Sequence, residues 1–146
     1  MTRVLVLRLG HNADLPLPSR RTDGAAGYDV ASAEPSFVLA PGERRLVGTG
    51  LALEIPAGIE GQIRPRSGLA LAHGITLPNA PGTIDSDYRG EIKVILQNGG
   101  VEPVTISRGD RIAQLVFAHY ETPELIDAPG LETSDRGPGG FGSTGH

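Results

Sequence analysis

Apolar and polar positions along this chain alternate in short runs, and each run ends in a turn signal. Residues 4–9, 37–39, 45–55, 59–63, 91–96, 101–106 and 111–117 read as strands. Within residues 91–97 the period of two puts Ile92, Val94 and Leu96 on one face. Turn sequences such as Ala40-Pro41-Gly42-Glu43, Pro56-Ala57-Gly58, Asn98-Gly99-Gly100 and Arg108-Gly109-Asp110 separate the runs. Many short strands at this spacing predict an all-β sandwich, barrel or jelly roll. One stretch departs from the pattern. Residues 67–74 place Ser67 as an N-cap, good helix formers after it and Gly74 as a stop, which predicts a helix of about two turns.

Composition supports this picture. The 146 residues suit one domain, and 21 Gly with 12 Pro leave little room for long helices. With no Cys, disulfides, thiolate metal sites and a Cys nucleophile are excluded. That absence is compatible with a reducing cytoplasm. No run approaches the roughly 20 apolar residues that span a bilayer, and the amino-terminal run is too short for a signal peptide. A soluble, cytoplasmic protein without a membrane partner is expected. The net charge of −4 argues against nucleic acid as the main ligand. Among the 13 basic residues Lys93 is the one lysine. An arginine-rich set suits phosphate recognition, and codon preference accounts for it equally well.

Residues 130–146 contain six glycines, and Leu131 and Phe141 are their large apolar side chains. Such a segment buries too little surface to offset its ordering entropy, so a mobile arm following a core of residues 1–129 is expected.

Several segments could carry chemistry. A helix starting near Ser67 would offer free N–H groups to an anion, with Arg66 adding charge and Gly68 allowing close approach. A capped surface helix with incidental arginines would have the same sequence. Residues 79–91 read as a hairpin with Asp85 and Asp87 at its tip, where a carboxylate could polarise a water; both are equally ordinary turn residues. Gln114, on a strand, could reach a ligand, and Asp29 lies beside an expected turn. The arm contains a G-x-G-x-x-G string, but no strand precedes it and no helix follows, so a dinucleotide fold is rejected. Phe141 is costly to leave in water, which suggests something for it to cover. The four histidines, His11, His73, His119 and His146, lack metal-ligand spacing and receive no role.

Taken in order, these segments resemble the five motifs of the trimeric dUTPase family. The matching strings are Ala26-Gly27-Tyr28-Asp29, Arg66-Ser67-Gly68-Leu69-Ala70, and Gly82-Thr83-Ile84-Asp85-Ser86-Asp87-Tyr88-Arg89-Gly90. The fourth is Gly109-Asp110-Arg111-Ile112-Ala113-Gln114 and the last runs from Arg136 to Gly145. The resemblance implies an all-β jelly-roll subunit with one short helix. It also implies a homotrimer whose shared sites hydrolyse dUTP to dUMP and pyrophosphate, keeping uracil out of DNA and supplying dUMP for thymidylate synthesis.

By position, the resemblance gives Asp85 the attacking water, and gives Asn79 with the backbone at Thr83, Ile84 and Asp85 the uracil edge. Tyr88 would pack on the deoxyribose, and Lys93 would line the nucleoside pocket. Arg66, Ser67, Gly68 and Gln114 would bind phosphates. In the arm, Phe141 would stack on uracil, Arg136 would serve as an arginine finger, and Gly142, Ser143 and Thr144 would complete the contacts. Magnesium (Mg2+) would ride on the triphosphate and waters, without direct protein ligands, Asp29 touching its water shell. Pro138 stands where many members carry a small polar residue. Two other readings stand beside this one. One is a dCTP deaminase, which shares the subunit fold but does not generally carry this complete arm. The other is a nucleotide-sensing module without turnover, against which Asp85 and Arg136 together speak.

Overall fold

The computed structural model describes residues 1–145; His146, the last residue of the expected arm, lies outside the described residues. Ten strands and one helix follow each other in the order β1 (Leu5–Arg8), β2 (Tyr28–Ala31), β3 (Phe37–Leu39), β4 (Arg44–Glu54), β5 (Ile59–Arg64), α1 (Ser67–His73), β6 (Ile75–Thr76), β7 (Gly82–Ile84), β8 (Glu91–Asn98), β9 (Val104–Ile106) and β10 (Arg111–His119). A 3-10 turn, Gly10–Asn12, follows β1. One four-stranded sheet runs β1-β4-β8-β6 and another β2-β10-β5-β7, with β3 and β9 pairing apart. All the paired strands are antiparallel. This is the expected all-β jelly-roll subunit with one short helix.

Alternation explains the core. On β8 Ile92, Val94 and Leu96 are buried while Lys93 between them is exposed. Their apolar side chains join Val30, Val47, Ile63, Ile84, Ile112 and Leu115 in one cluster fed by both sheets. At about 25 cal/mol per Å² of apolar surface removed from water, such burial is the main favourable term. Helix α1 ends as expected, because Gly74 adopts φ 68 and its N–H reaches the Ala70 and Leu69 carbonyls.

Three expectations change. Ser67 is the first helical residue, and the cap position belongs to Arg66, whose side chain makes no capping bond. The run 101–106 narrows to β9, since Val101 is exposed and Pro103 cannot donate to a ladder. Residues 79–91 do not form a hairpin of paired strands: β7 pairs with β5 and β8 with β4 and β6. The connection instead crosses from one sheet to the other. Asp29 lies in strand β2, shortly after the turn closed by the Ala25 N–H and the Thr22 carbonyl. The last strand ends at His119, and residues 120–145 form neither helix nor strand.

Candidate functional site

Three strands bring an acid, an amide and arginines together. Register pairs Gln114 with Asp29 on one side and with Arg64 on the other. Strict alternation would put Arg111, three residues before Gln114, on the opposite face. A bulge prevents this: Ala113 pairs with Val30 but Arg111 pairs with Ala31, so Ile112 is extra. Arg111, Gln114 and Asp29 therefore share a face, while Ile112 and Ala113 are both fully buried.

Asp29 is the centre of this group. Arg111 Nη1 donates to its Oδ2 at 2.9 Å, Arg21 Nε reaches the same oxygen at 3.2 Å, and Arg66 Nε lies 3.5 Å from Oδ1. Partial burial pushes the Asp29 pKa up. The hydrogen bonds from Arg111 and Arg21, with the charges of Arg66 and Arg111, outweigh it and hold the carboxyl below its ordinary value. Arg66 also donates to the Arg111 carbonyl at 3.0 Å, and Gln114 Nε2 to the Pro65 carbonyl at 3.0 Å. These bonds fasten the Arg66-Ser67-Gly68 segment to β10. Ser67 and Gly68 are exposed, and nothing in the chain occupies the space a Cβ on Gly68 would take.

A second concave surface, of about 320 Å³, is lined by Leu46, Thr83, Ile84, Asp85, Tyr88, Glu91, Ile92 and Lys93. The Asp85 carbonyl accepts the Tyr88 N–H at 3.1 Å, which closes the turn after β7. Arg89 buttresses that turn by donating to the Ser86 carbonyl at 2.7 Å. The Tyr88 hydroxyl donates to the Glu91 carbonyl at 3.0 Å. Asp85 is exposed, and among the described residues no ion pair includes it. Asn79 is exposed, and its Nδ2 would be 3.2 Å from a Cβ on Gly82 at the start of β7.

Among the described residues the arm hydrogen-bonds only within itself. Arg136 Nε donates to the Gly139 carbonyl at 2.8 Å, Phe141 is fully exposed at φ 51, and Gly142, Ser143 and Thr144 are exposed. The predicted residues thus fall into three sets within one chain: Asp29 with Arg66 and Gln114, Asp85 with its hollow, and the arm. Sequence reasoning missed Arg21 and Arg111 as members of the first set. The spacing of Arg111 from Gln114 hid it, because the bulge that aligns them has no sequence signature. It also missed the pairing of His11 with Glu91. Among the described residues no group of three or more His, Asp or Glu is disposed to hold a metal ion, and no helix is long and apolar enough to cross a membrane.

A family model described as dUTPase matches residues 13–145, which takes in all three sets. The chain belongs to the dUTPase family. It is 62% identical over 143 residues to the deoxyuridine 5'-triphosphate nucleotidohydrolase of Anaeromyxobacter sp. (strain Fw109-5), covering 97% of each chain. The enzyme of the same name from Methylocella silvestris is 58% identical, with 96% of this chain and 89% of that one covered. As a dUTPase, the protein hydrolyses dUTP to dUMP and pyrophosphate. Among solved structures it resembles the Staphylococcus bacteriophage 80alpha dUTPase with dUPNHPP, with TM-score 0.91, 29% identity and full coverage of both chains. It also resembles an aspartate-to-asparagine mutant of the dUTPase from phage phi11 of S. aureus, described as coordinating a structural Mg(II) ion. That match has TM-score 0.81 and 27% identity over 90% of this chain and 99% of that one.

Proposed function

We propose that Asp85 activates the water that opens dUTP. The supporting observation is its carboxylate, exposed and in no ion pair among the described residues, at the rim of a hollow that also holds Thr83, Tyr88 and Lys93. The water gives a proton to Asp85 as its oxygen bonds the α-phosphorus in line; the bond from that phosphorus to the bridging oxygen breaks, and pyrophosphate leaves. Asn79 and the backbone at Thr83, Ile84 and Asp85 read the uracil edge. Tyr88 packs on the deoxyribose and leaves no room for a 2′-hydroxyl, with Lys93 along the same wall. Arg66, Ser67, Gly68 and Gln114 bind phosphates. The open space over Gly68 fits a ligand approaching the backbone, since no crowding within the chain requires glycine there. Phe141 covers the base, Arg136 stabilises charge on the terminal phosphate, and Gly142, Ser143 and Thr144 add contacts.

Magnesium fits as an ion carried by the triphosphate. The chain offers no preformed ligand cluster among its described residues, but Asp29 presents a carboxylate that can accept hydrogen bonds from metal-bound waters. Carried on the triphosphate, the ion would screen the phosphate charge. The phi11 relative is described as coordinating a structural Mg(II) ion, a different station from the triphosphate-borne ion proposed for this chain.

A homotrimer with shared sites accounts for three features. Among the described residues no hydrogen bond or ion pair joins the Asp29 set, the Asp85 hollow and the arm. Strand β1 is an edge with all four residues exposed, including Leu5 and Leu7. Leu125, Ile126 and Leu131 are exposed as well. A cysteine-free chain suits the cytoplasm.

The test compares pyrophosphate release from dUTP, dCTP, dTTP and UTP with magnesium present. Rapid release from dUTP alone is expected, and Asp85→Asn should lose turnover by about 10²–10⁴-fold while still binding dUTP. Loss of binding in that variant would refute the general-base role.

A further inference from the structure

Elements behind the Asp85 hollow meet at one carboxylate, Glu91, at the start of β8. Its Oε1 lies 2.6 Å from His11 Nε2 in the 3-10 turn and accepts the Gly50 N–H of β4 at 2.8 Å. Its Oε2 faces Lys93 Nζ at 3.8 Å, two residues along the same strand and face. Its main-chain carbonyl takes the Tyr88 hydroxyl. The side chain is only 16% exposed.

The backbone around it is cleared for this arrangement. A Cβ on Gly48 would stand 2.9 Å from Glu91 Oε1, and one on Gly90 would collide with the Tyr88 hydroxyl oxygen. On β4, Thr49, Gly50 and Leu51 stand opposite the single residue Ile92, a bulge that turns the Gly50 N–H toward Glu91. Buried Asn12 closes the other side by donating to the Thr49 carbonyl. Partial burial pushes the Glu91 pKa up, but the His11 and Gly50 hydrogen bonds and the charges of His11 and Lys93 outweigh it. The carboxylate is thus held in its charged form.

We infer that Glu91 is a positioning residue for nucleoside recognition, tying Lys93 and the Tyr88 end of β8 to the β4 bulge and the His11 turn. The inference rests on the reading of this hollow as the nucleoside pocket. Without the carboxylate the Gly50 N–H loses its acceptor, Lys93 loses its counter-charge, and the start of β8 is released from the His11 turn. Tyr88 keeps its bond to the Glu91 main-chain carbonyl, but that carbonyl then sits on a strand end no longer anchored to the His11 turn. Asp85 sits at the end of β7, which is held by β5 in the other sheet, so the chemical step is less affected.

Steady-state kinetics with dUTP and UTP on Glu91→Ala, Glu91→Gln and His11→Ala test this. Glu91→Ala should raise the KM for dUTP about five- to tenfold with kcat within about twofold, and reduce the dUTP-over-UTP preference in kcat/KM about tenfold. Glu91→Gln, which keeps an acceptor for Gly50, should recover most of the KM. If the alanine variant does not fold, Glu91→Gln and His11→Ala should each still show a KM rise of about two- to fivefold with kcat kept. Unchanged KM and preference across the variants, or a fall in kcat alone, would overturn the inference while leaving the pocket reading intact. Failure of all three variants to fold would overturn it too, by making the role one of stability. Equal hydrolysis of dUTP and UTP by the wild-type enzyme would instead overturn the pocket reading itself.

Discussion

A Cβ on Gly27 would collide with Gln114 Oε1 and stand 3.2 Å from its Cδ, so this glycine makes room for the amide that fastens to Pro65. Gly27→Ala should push Gln114 aside and raise the KM for dUTP several-fold, on the order of 1 kcal/mol, with folding retained; steady-state kinetics and a thermal melt check both halves. Asp29 allows a prediction with a sign. Its folded pKa lies below the ordinary 3.8, so its stabilising contribution is present above 3.8 and is lost as pH falls through the depressed folded value. Asp29→Asn should cost about 1–2 kcal/mol at neutral pH, after allowing for solvent screening of the partly exposed arginines. It should also flatten the acid limb of stability below that pH, as denaturant titrations at several pH values would show. The resemblance points to Asp29, Gln114 and Asp85 by position, and the structure brings the first two together on paired strands. Arg111 and His11 were not legible, since each pairs with a carboxylate far away in sequence, and Arg21 was not because it sits in an irregular stretch outside every strand.

Strands were legible where the period of two was long enough to see. The eight residues of β8 show the period of two, whereas β6 with two residues and β7 with three do not read as strands, and the equally short β3 is marked by the turn sequence that follows it. The 79–91 segment misled for a related reason: a turn between two apolar runs suggests a hairpin, and only the sheet order shows that the runs pair elsewhere. Bulges are the other hidden feature, because an extra residue leaves no mark on composition. The β4 bulge depends on Gly50, at φ +64, where a Cβ would collide with that of Asn12. Gly50→Ala combines left-handed strain with overpacking and should cost about 2–4 kcal/mol, read as a lowered urea midpoint at unchanged m-value.

Across the molecule, burial is uneven. The jelly roll encloses its core, while β1 and residues 120–138 leave their side chains exposed. On the proposed trimer these surfaces are covered, and light scattering should return a mass of about three chains. The arm's turns are closed by local bonds such as Gly137 N–H to the Ser134 carbonyl, so limited proteolysis should cut there first and a non-hydrolysable dUTP analogue should slow the cut. The separation of Asp85 from Arg136 has a further consequence, one of chance rather than geometry. Suppose Asp85→Asn and Arg136→Ala chains, each inactive alone, are unfolded together and reassembled at random in equal amounts. Where a site draws its base from one chain and its finger from another, about one site in four receives both intact. Two dead enzymes would then make a partly living one, at about a quarter of wild-type turnover, whereas sites built within single chains would leave the mixture silent.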